Sequence, residues 1–246
     1  MKKLFGFAVI IALITISSTL FAADELESLK THVHKAAGGL KDLSCNLVVV
    51  NSNQRELQKM GKVFAELYEF KSAKVVFKAP DSLKINGVLG MMKVEFITAG
   101  NVRHIRIPSM RYKKREDISK EQEKRMSPLD VGVVSDVIWD IYNISLVRTE
   151  KNEDGSLAYV LKLKTAKSSK YQLIWIDGKD YKLLRRDRMF GDDSLKVKTL
   201  YFNHIKVNGI WTPCKAEVYN SEGKLAATTE TKDITVNTGV EQKEFD

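Results

Sequence analysis

The sequence predicts a mainly β protein of the α+β class: one large antiparallel sheet with an N-terminal helix and a central helical insert. Three observations lead there. Apolar and polar residues alternate with period two through much of the chain, for example over Leu43/Cys45/Leu47/Val49 and Cys214/Ala216/Val218, as strands with one buried face require. The joints between such runs carry hairpin chemistry at Asp154-Gly155, Asp177-Gly178, Asn208-Gly209 and Glu222-Gly223. Helical periodicity stands out in two places, 24–37 and 128–141.

The chain begins with Lys2 and Lys3 before an apolar stretch from Leu4 to about Ile16, closed by the small residues Ala22 and Ala23. This is the pattern of a secretory signal peptide over residues 1–23. The stretch is too short for a membrane span, which takes roughly 20 apolar residues, and no Cys follows it to carry a lipid. The expected mature protein starts near Asp24 as one soluble periplasmic domain over 24–246. That address excludes nucleic-acid partners despite the formal charge of +9. The basic excess suits anionic lipid headgroups or acidic proteins, and also plain solubility.

From Asp24 to Ala37, Leu26, Leu29, Val33 and Ala36 or Ala37 form one helical stripe, stopped by Gly38-Gly39. Strands are then expected at 43–50, 62–70, 72–78, 83–88, 91–98 and 102–107. A second series follows at 142–151, 157–165, 171–177, 181–189, 195–207, 211–220 and 224–234. Between the series, Arg111 to Arg125 reads as a charged, strand-free loop. Ser127-Pro128-Leu129-Asp130 then opens a helix with a cap, a first-turn proline and an acidic third position. Val133, Val134, Val137, Ile138 and Ile141 supply its apolar side.

Strand 171–177 poses a packing problem. Leu173, Ile174, Trp175 and Ile176 are apolar on both faces, so the strand needs cover twice. A second sheet, a helix or a bound ligand would each provide it. Two short helices are few for the inner face of so large a sheet, so either the sheet curls on itself or a ligand completes the core.

Enzyme signatures do not appear: there is no Gly-x-Ser-x-Gly elbow, His-Glu-x-x-His, Walker loop or dinucleotide glycine fingerprint. No enzymatic activity and no cofactor is expected. His32 and His34 are two apart on a helix and point away from each other, which disfavours a metal pair. Asp177 with Asp180, and Asp192 with Asp193, sit beside Gly178 and Gly191 and are explained by turn chemistry. Cys45 and Cys214 each fall on an apolar strand face; a disulfide and two buried thiols are both open. The densest basic cluster is Arg103, His104, Arg106, Arg111, Lys113, Lys114 and Arg115. It reads as a solvated loop or, through Arg103, Arg106, Arg111 and Lys113, as a headgroup or partner contact beside a cavity mouth. Met91, Met92, Met110 and Met126 cluster around it; methionines fill irregular core gaps, but they also line surfaces that accept varied apolar ligands.

A family resemblance rests on the order of several loose motifs. These are Phe77-Lys78-Ala79-Pro80-Asp81-Ser82-Leu83-Lys84-Ile85, Val94-Glu95-Phe96, Ile107-Pro108-Ser109-Met110-Arg111-Tyr112, Asn208-Gly209-Ile210-Trp211-Thr212-Pro213 and Val236-Asn237-Thr238-Gly239-Val240. Over nearly the whole mature chain this order is similar to the LolA-like outer membrane lipoprotein-sorting proteins, within the LolA/LolB/RseB-like half-barrel superfamily. The resemblance implies a curved, half-open antiparallel β-barrel. Its concave face would be closed by the two helical segments, leaving an apolar cavity for acyl chains. The implied wall candidates are Phe64, Tyr68, Phe70, Met92, Phe96, Val137, Ile138, Leu161, Tyr171, Leu173, Trp175 and Phe202, with plain core packing as the alternative for each. Arg55 and Arg103 are the nearest counterparts of the strand arginine that latches the family's lid. The implied function is a periplasmic carrier of lipoprotein acyl chains or phospholipid towards the outer membrane, served by an inner-membrane transporter and an outer-membrane acceptor. Two alternatives are an envelope-stress sensing or interaction protein on the same fold, and a free-lipid carrier partnering a membrane transporter.

Overall fold

The computed structural model describes residues 24–152 and 154–245; the signal peptide expected over 1–23 lies outside the described residues. Helix α1 covers 24–37 and ends at the predicted glycine pair. Strand β1 (Asp42–Ser52) follows, then two short helices, α2 (Gln54–Met60) and α3 (Lys62–Leu67). Five strands come next: β2 (Ser72–Lys78), β3 (Ser82–Leu89), β4 (Met92–Ala99), β5 (Val102–Ile107) and β6 (Tyr112–Asp117). A segment with a 3-10 turn at Pro128–Val131 and helix α4 (Val137–Ile141) leads to β7 (Asn143–Lys151), β8 (Leu157–Lys164), β9 (Tyr171–Asp177) and β10 (Leu183–Met189). The long strands β11 (Leu195–Val207), β12 (Ile210–Asn220) and β13 (Leu225–Val236) close the series.

All thirteen strands form one sheet in the order β6-β5-β4-β3-β2-β1-β13-β12-β11-β10-β9-β8-β7. Two meanders are joined where β1 pairs antiparallel with β13. The sheet does not close; β6 and β7 are its edges. This is the open, antiparallel half-barrel that the family resemblance implies.

Three elements differ from expectation. Residues 62–70 form helix α3 and a turn rather than a strand. The apolar residues of this stretch fit either period; the N-cap at Asn53, which accepts from the Glu56 amide at 3.3 Å, starts the preceding turn of helix. Phe64 and Tyr68, four apart, then share one face of α3. Within 111–125, expected to be strand-free, Tyr112–Asp117 forms edge strand β6 along β5. An edge strand exposed on both faces need not alternate, and its Lys and Arg residues discourage further pairing. The single helix expected over 128–141 is two pieces. The Ser127/Asp130 capping box is present, but the turn ends at Gly132 (φ +83°) and helix resumes at Val137. A Cβ on Gly132 would meet Pro213 Cγ at 2.6 Å and the Tyr201 ring at 2.7 Å, so glycine lets this turn lie directly on β11 and β12.

The inner face of the sheet holds three apolar clusters. Leu29 and Val33 of α1 pack with Leu129, Ile138 and Ile141 against Leu161, Leu163, Ile174 and Ile176 of β8 and β9. Val131 and Val133 pack against Leu43, Cys45, Val75, Phe77 and Leu83 of β1 to β3. Leu57 and Met60 of α2 and Ala65 of α3 cover Val197, Val218, Ala226 and Ala227. Asp136 accepts from His34 at 2.6 Å and ties α1 to the central segment.

The doubly apolar strand β9 is therefore covered from both sides, with the faces opposite to those expected. Ile174 and Ile176 meet the helices, whereas Leu173 and Trp175 form an outer cluster with Ala158, Val160 and Leu184. Arginine provides the second cover. The Arg185 guanidinium lies 4.1 Å above the Trp175 ring, Arg148 stands at 6.0 Å, and the indole N–H donates to Glu150 at 2.8 Å. Of the two alternatives open for the cysteines, the structure has two free thiols. β13 runs between β1 and β12, putting Cys45 and Cys214 at least two strand spacings apart, more than ~9.6 Å and beyond the ~7 Å a disulfide spans.

Candidate functional site

A cavity of ≈ 200 Å³ lies between the inner face of the sheet, α3 and the Pro128–Val131 turn. It forms where cover is missing. Helices α1 and α4 shield β8 and β9, α2 and α3 stand over β11 to β13, and among the described residues no helix fills the space between these covers and the sheet.

Most of the lining is apolar. Leu47 and Val49 come from β1, Ala73 from β2, Ile85 from β3, Phe96 from β4, Val197 and Tyr201 from β11, and Ala216 and Val218 from β12. α3 adds Phe64 and Leu67, and Tyr68 follows at its C-cap. Phe70 also lines the cavity and packs over Gly87, where a Cβ would meet its ring at 2.5 Å, so the glycine makes room for the aromatic ring. Phe70 meets Phe96 edge to face at 6.4 Å. Burial, with the neighbouring Tyr201, pushes the Tyr68 phenol up to about 12, so it stays neutral.

Charge is confined to one side. Arg186 and Arg188 alternate on the inner face of β10 and converge on Asp130 at 2.8 and 3.1 Å. Arg186 also donates to the Leu129 carbonyl at 3.0 Å and to Gln172 Oε1 at 2.6 Å, and Gln172 donates on to the Tyr142 hydroxyl at 3.2 Å. Asp130 accepts from the Ser127 amide at 3.0 Å, so one carboxylate caps the turn and pairs the sheet. Burial alone would push the Asp130 carboxyl up, but the two guanidinium groups hold it below the ordinary range. Burial also disfavours charge on Arg186, and Asp130 outweighs it.

Of the twelve wall candidates, Phe64, Tyr68, Phe70 and Phe96 line this cavity. Ile138 and Leu161 are fully buried core residues, and Val137 packs between two core clusters. Leu173 and Trp175 belong to the outer cluster. Met92 sits on the exposed β3–β4 hairpin, and Phe202 is partly exposed beneath Lys215. Tyr171 lines a second, polar cavity that shares Asp130, Arg186 and Arg188 with the first. The headgroup candidates Arg103, Arg106, Arg111 and Lys113 lie on β5, β6 and the turn joining them, and none lines either cavity. Arg103 pairs with Glu116 at 2.9 Å, and Arg55 is exposed on α2. The arginines that hold the central segment are instead Arg186 and Arg188. A signal was available: a central strand reading Leu184-Arg185-Arg186-Asp187-Arg188 must turn some arginines inwards, and a buried arginine requires a carboxylate partner. Among the described residues, no group of three His, Cys, Asp or Glu side chains is placed to hold a metal ion, and no helix is long and apolar enough to cross a membrane.

A family model described as "-like: Uncharacterized protein" matches residues 75–246, more than half of the chain. The comparison with curated proteins found no match. Solved structures with a similar fold include one described as an outer membrane lipoprotein-sorting protein domain from Vibrio parahaemolyticus. It has a TM-score of 0.62 at 14% identity, over 89% of this chain and 95% of that one. A LolA superfamily protein from Nitrosomonas europaea matches with a TM-score of 0.61 at 14% identity, over 89% and 96% of the two chains. A DUF1329 family protein from Desulfovibrio piger matches with a TM-score of 0.54 at 15% identity, over 89% and 95%.

Proposed function

Because the chain belongs to the family matched over residues 75–246 and has the LolA-like lipoprotein-sorting fold, we propose that it is a carrier that binds acyl chains in its inner cavity. The observation that carries this reading is the cavity itself: an apolar concavity left open inside an otherwise well-covered sheet, with charge confined to one side. A packed domain excludes such space, since voids in cores cost stability. An acyl chain would complete the wall, gaining ~0.8 kcal/mol for each methylene removed from water. The carrier performs no covalent chemistry. Its cargo is a lipoprotein acyl chain or a phospholipid, taken up and released at membrane surfaces of the periplasm, and the sequence pattern of residues 1–23 supports that address.

The test is binding of the neutral fluorophore N-phenyl-1-naphthylamine, displaced by a twelve-carbon amphiphile. Wild-type protein is expected to bind the probe, and Ala216→Phe, which fills the cavity from β12, is expected to abolish binding while the melting temperature is retained. A wild type that binds neither probe nor amphiphile overturns the carrier reading.

A further inference from the structure

We infer that the second cavity is a receptor for an anionic headgroup, so that the two cavities together take an anionic amphiphile, tail inward and phosphate or carboxylate outward. The inference rests on the carrier reading and names the class of cargo.

The second cavity, ≈ 220 Å³, is lined by five cations, Arg125, Lys170, Arg186, Arg188 and Lys196, and by a single carboxylate, Asp130. Asp130 is already engaged by Arg186 and Arg188, and Arg125 has a long contact with Asp81 at 3.4 Å. Among the described residues, no carboxylate lies within ion-pairing distance of Lys170 or Lys196. The cavity therefore carries positive charge that the protein does not neutralise. Lys196 feels it: partial burial, then repulsion from Lys170 and Arg188, lowers its pKa. An anion held there would relieve that repulsion and accept charge-assisted hydrogen bonds, and a planar guanidinium fork matches a phosphate or carboxylate well.

The seam between the cavities has the form such a ligand needs. Asp130, Arg186 and Arg188 line both. The Phe64 ring faces the apolar cavity, while the Arg188 guanidinium stands 5.5 Å and the Lys196 ammonium 5.8 Å from its centre. An apolar chamber thus passes into a cationic one across a single aromatic ring. Lys170 and the partly exposed Lys196 place the positive charge on the solvent side, where a headgroup can enter last and leave first.

The experiment compares dodecyl phosphate, dodecyl maltoside and inorganic phosphate, each below any micelle-forming concentration, as competitors of bound N-phenyl-1-naphthylamine. Dodecyl phosphate is expected to displace the probe at roughly ten- to a hundredfold lower concentration than dodecyl maltoside, the range expected of one or two charge-assisted bonds. The Lys170→Ala/Lys196→Met variant, which alters an exposed and a partly exposed side chain, should lose most of that preference. It should keep its melting temperature and its response to dodecyl maltoside. Equal displacement by the two amphiphiles in the wild type, or a preference that survives in the variant, overturns the headgroup assignment and leaves the carrier reading standing. Calorimetric binding of inorganic phosphate as tight as that of dodecyl phosphate would show a free-anion site and equally overturn it. Failure of the probe and of both amphiphiles to bind removes the carrier reading, and this inference with it.

Discussion

Replacing Asp130 by Asn removes one charge at the point where the central turn is fastened to the sheet, and the structure sets the size of the effect. Asn keeps an oxygen for the Ser127 amide, so the cap survives; the attraction to the guanidinium groups is lost. Arg188 is 41% exposed and can turn towards water, so its loss counts for little. Arg186 is 6% exposed and has no such escape. Removing one partner of a buried pair typically costs ~3–5 kcal/mol, and the bonds of Arg186 to Leu129 and Gln172 remain, so the lower end, about 3 kcal/mol, is expected. For a chain of this length that corresponds to a melting temperature lower by ~6–12 °C. Urea and thermal unfolding followed by circular dichroism measure it. The double variant Asp130→Asn/Arg186→Met should recover part of the loss, because it removes the buried guanidinium that Asp130→Asn leaves without its carboxylate. The effect also has a pH signature. The folded-state carboxyl lies below the ordinary 3.8, so its contribution is fully present above that value and is lost as pH falls through the depressed folded-state pKa. The stability gap between wild type and Asp130→Asn should therefore be constant near neutrality and narrow in acid. A variant within ~0.5 kcal/mol of wild type, or a gap that widens in acid, would refute the assignment of this pair as the fastening of the turn.

Further expectations concern packing, the cavity wall and the thiols. Gly132→Ala should destabilise by about 1–3 kcal/mol in urea unfolding, since its Cβ meets Pro213 Cγ at 2.6 Å in a left-handed backbone; an unchanged midpoint would mean the turn is free to lift from the sheet. Phe96→Ala should change the affinity for N-phenyl-1-naphthylamine severalfold, while Leu173→Ala, on the outer face, should leave it within about twofold at similar cost in stability; the reverse ranking would put the ligand on the wrong face. Both thiols should titrate with Ellman's reagent in urea without reductant. In the folded protein Cys45, buried and with its pKa pushed up to about 12, should stay silent while the partly exposed Cys214 reacts slowly. Detecting no thiol in the unfolded, unreduced chain would contradict the strand order.

Period-two patterning and hairpin dipeptides determined the sheet. Twelve of the thirteen strands were legible because alternation and Asn-Gly or Asp-Gly turns act within a few residues, and so was α1, whose apolar stripe ends on a glycine pair. The Ser127-Pro128-Leu129-Asp130 cap was legible for the same reason. Strand β6 and helix α3 were not. An edge strand wet on both sides carries no alternation, and the apolar residues from 62 to 70 fit either period until Asn53 and the missing cover over β11 to β13 choose helix. The sheet face that a strand turns inward is decided by the whole sheet. Leu173 and Trp175 alternate with Ile174 and Ile176 in a way that local sequence cannot rank, because all four are apolar; the helices chose the isoleucines and the arginines of β7 and β10 took the tryptophan. Only the tertiary structure brought Asp130 to Arg186 and Arg188, more than fifty residues on, and joined the cationic cavity to the apolar one. Long-range electrostatic pairing leaves no periodic trace in a sequence, whereas the desolvation that makes it necessary acts only once the sheet has folded around it.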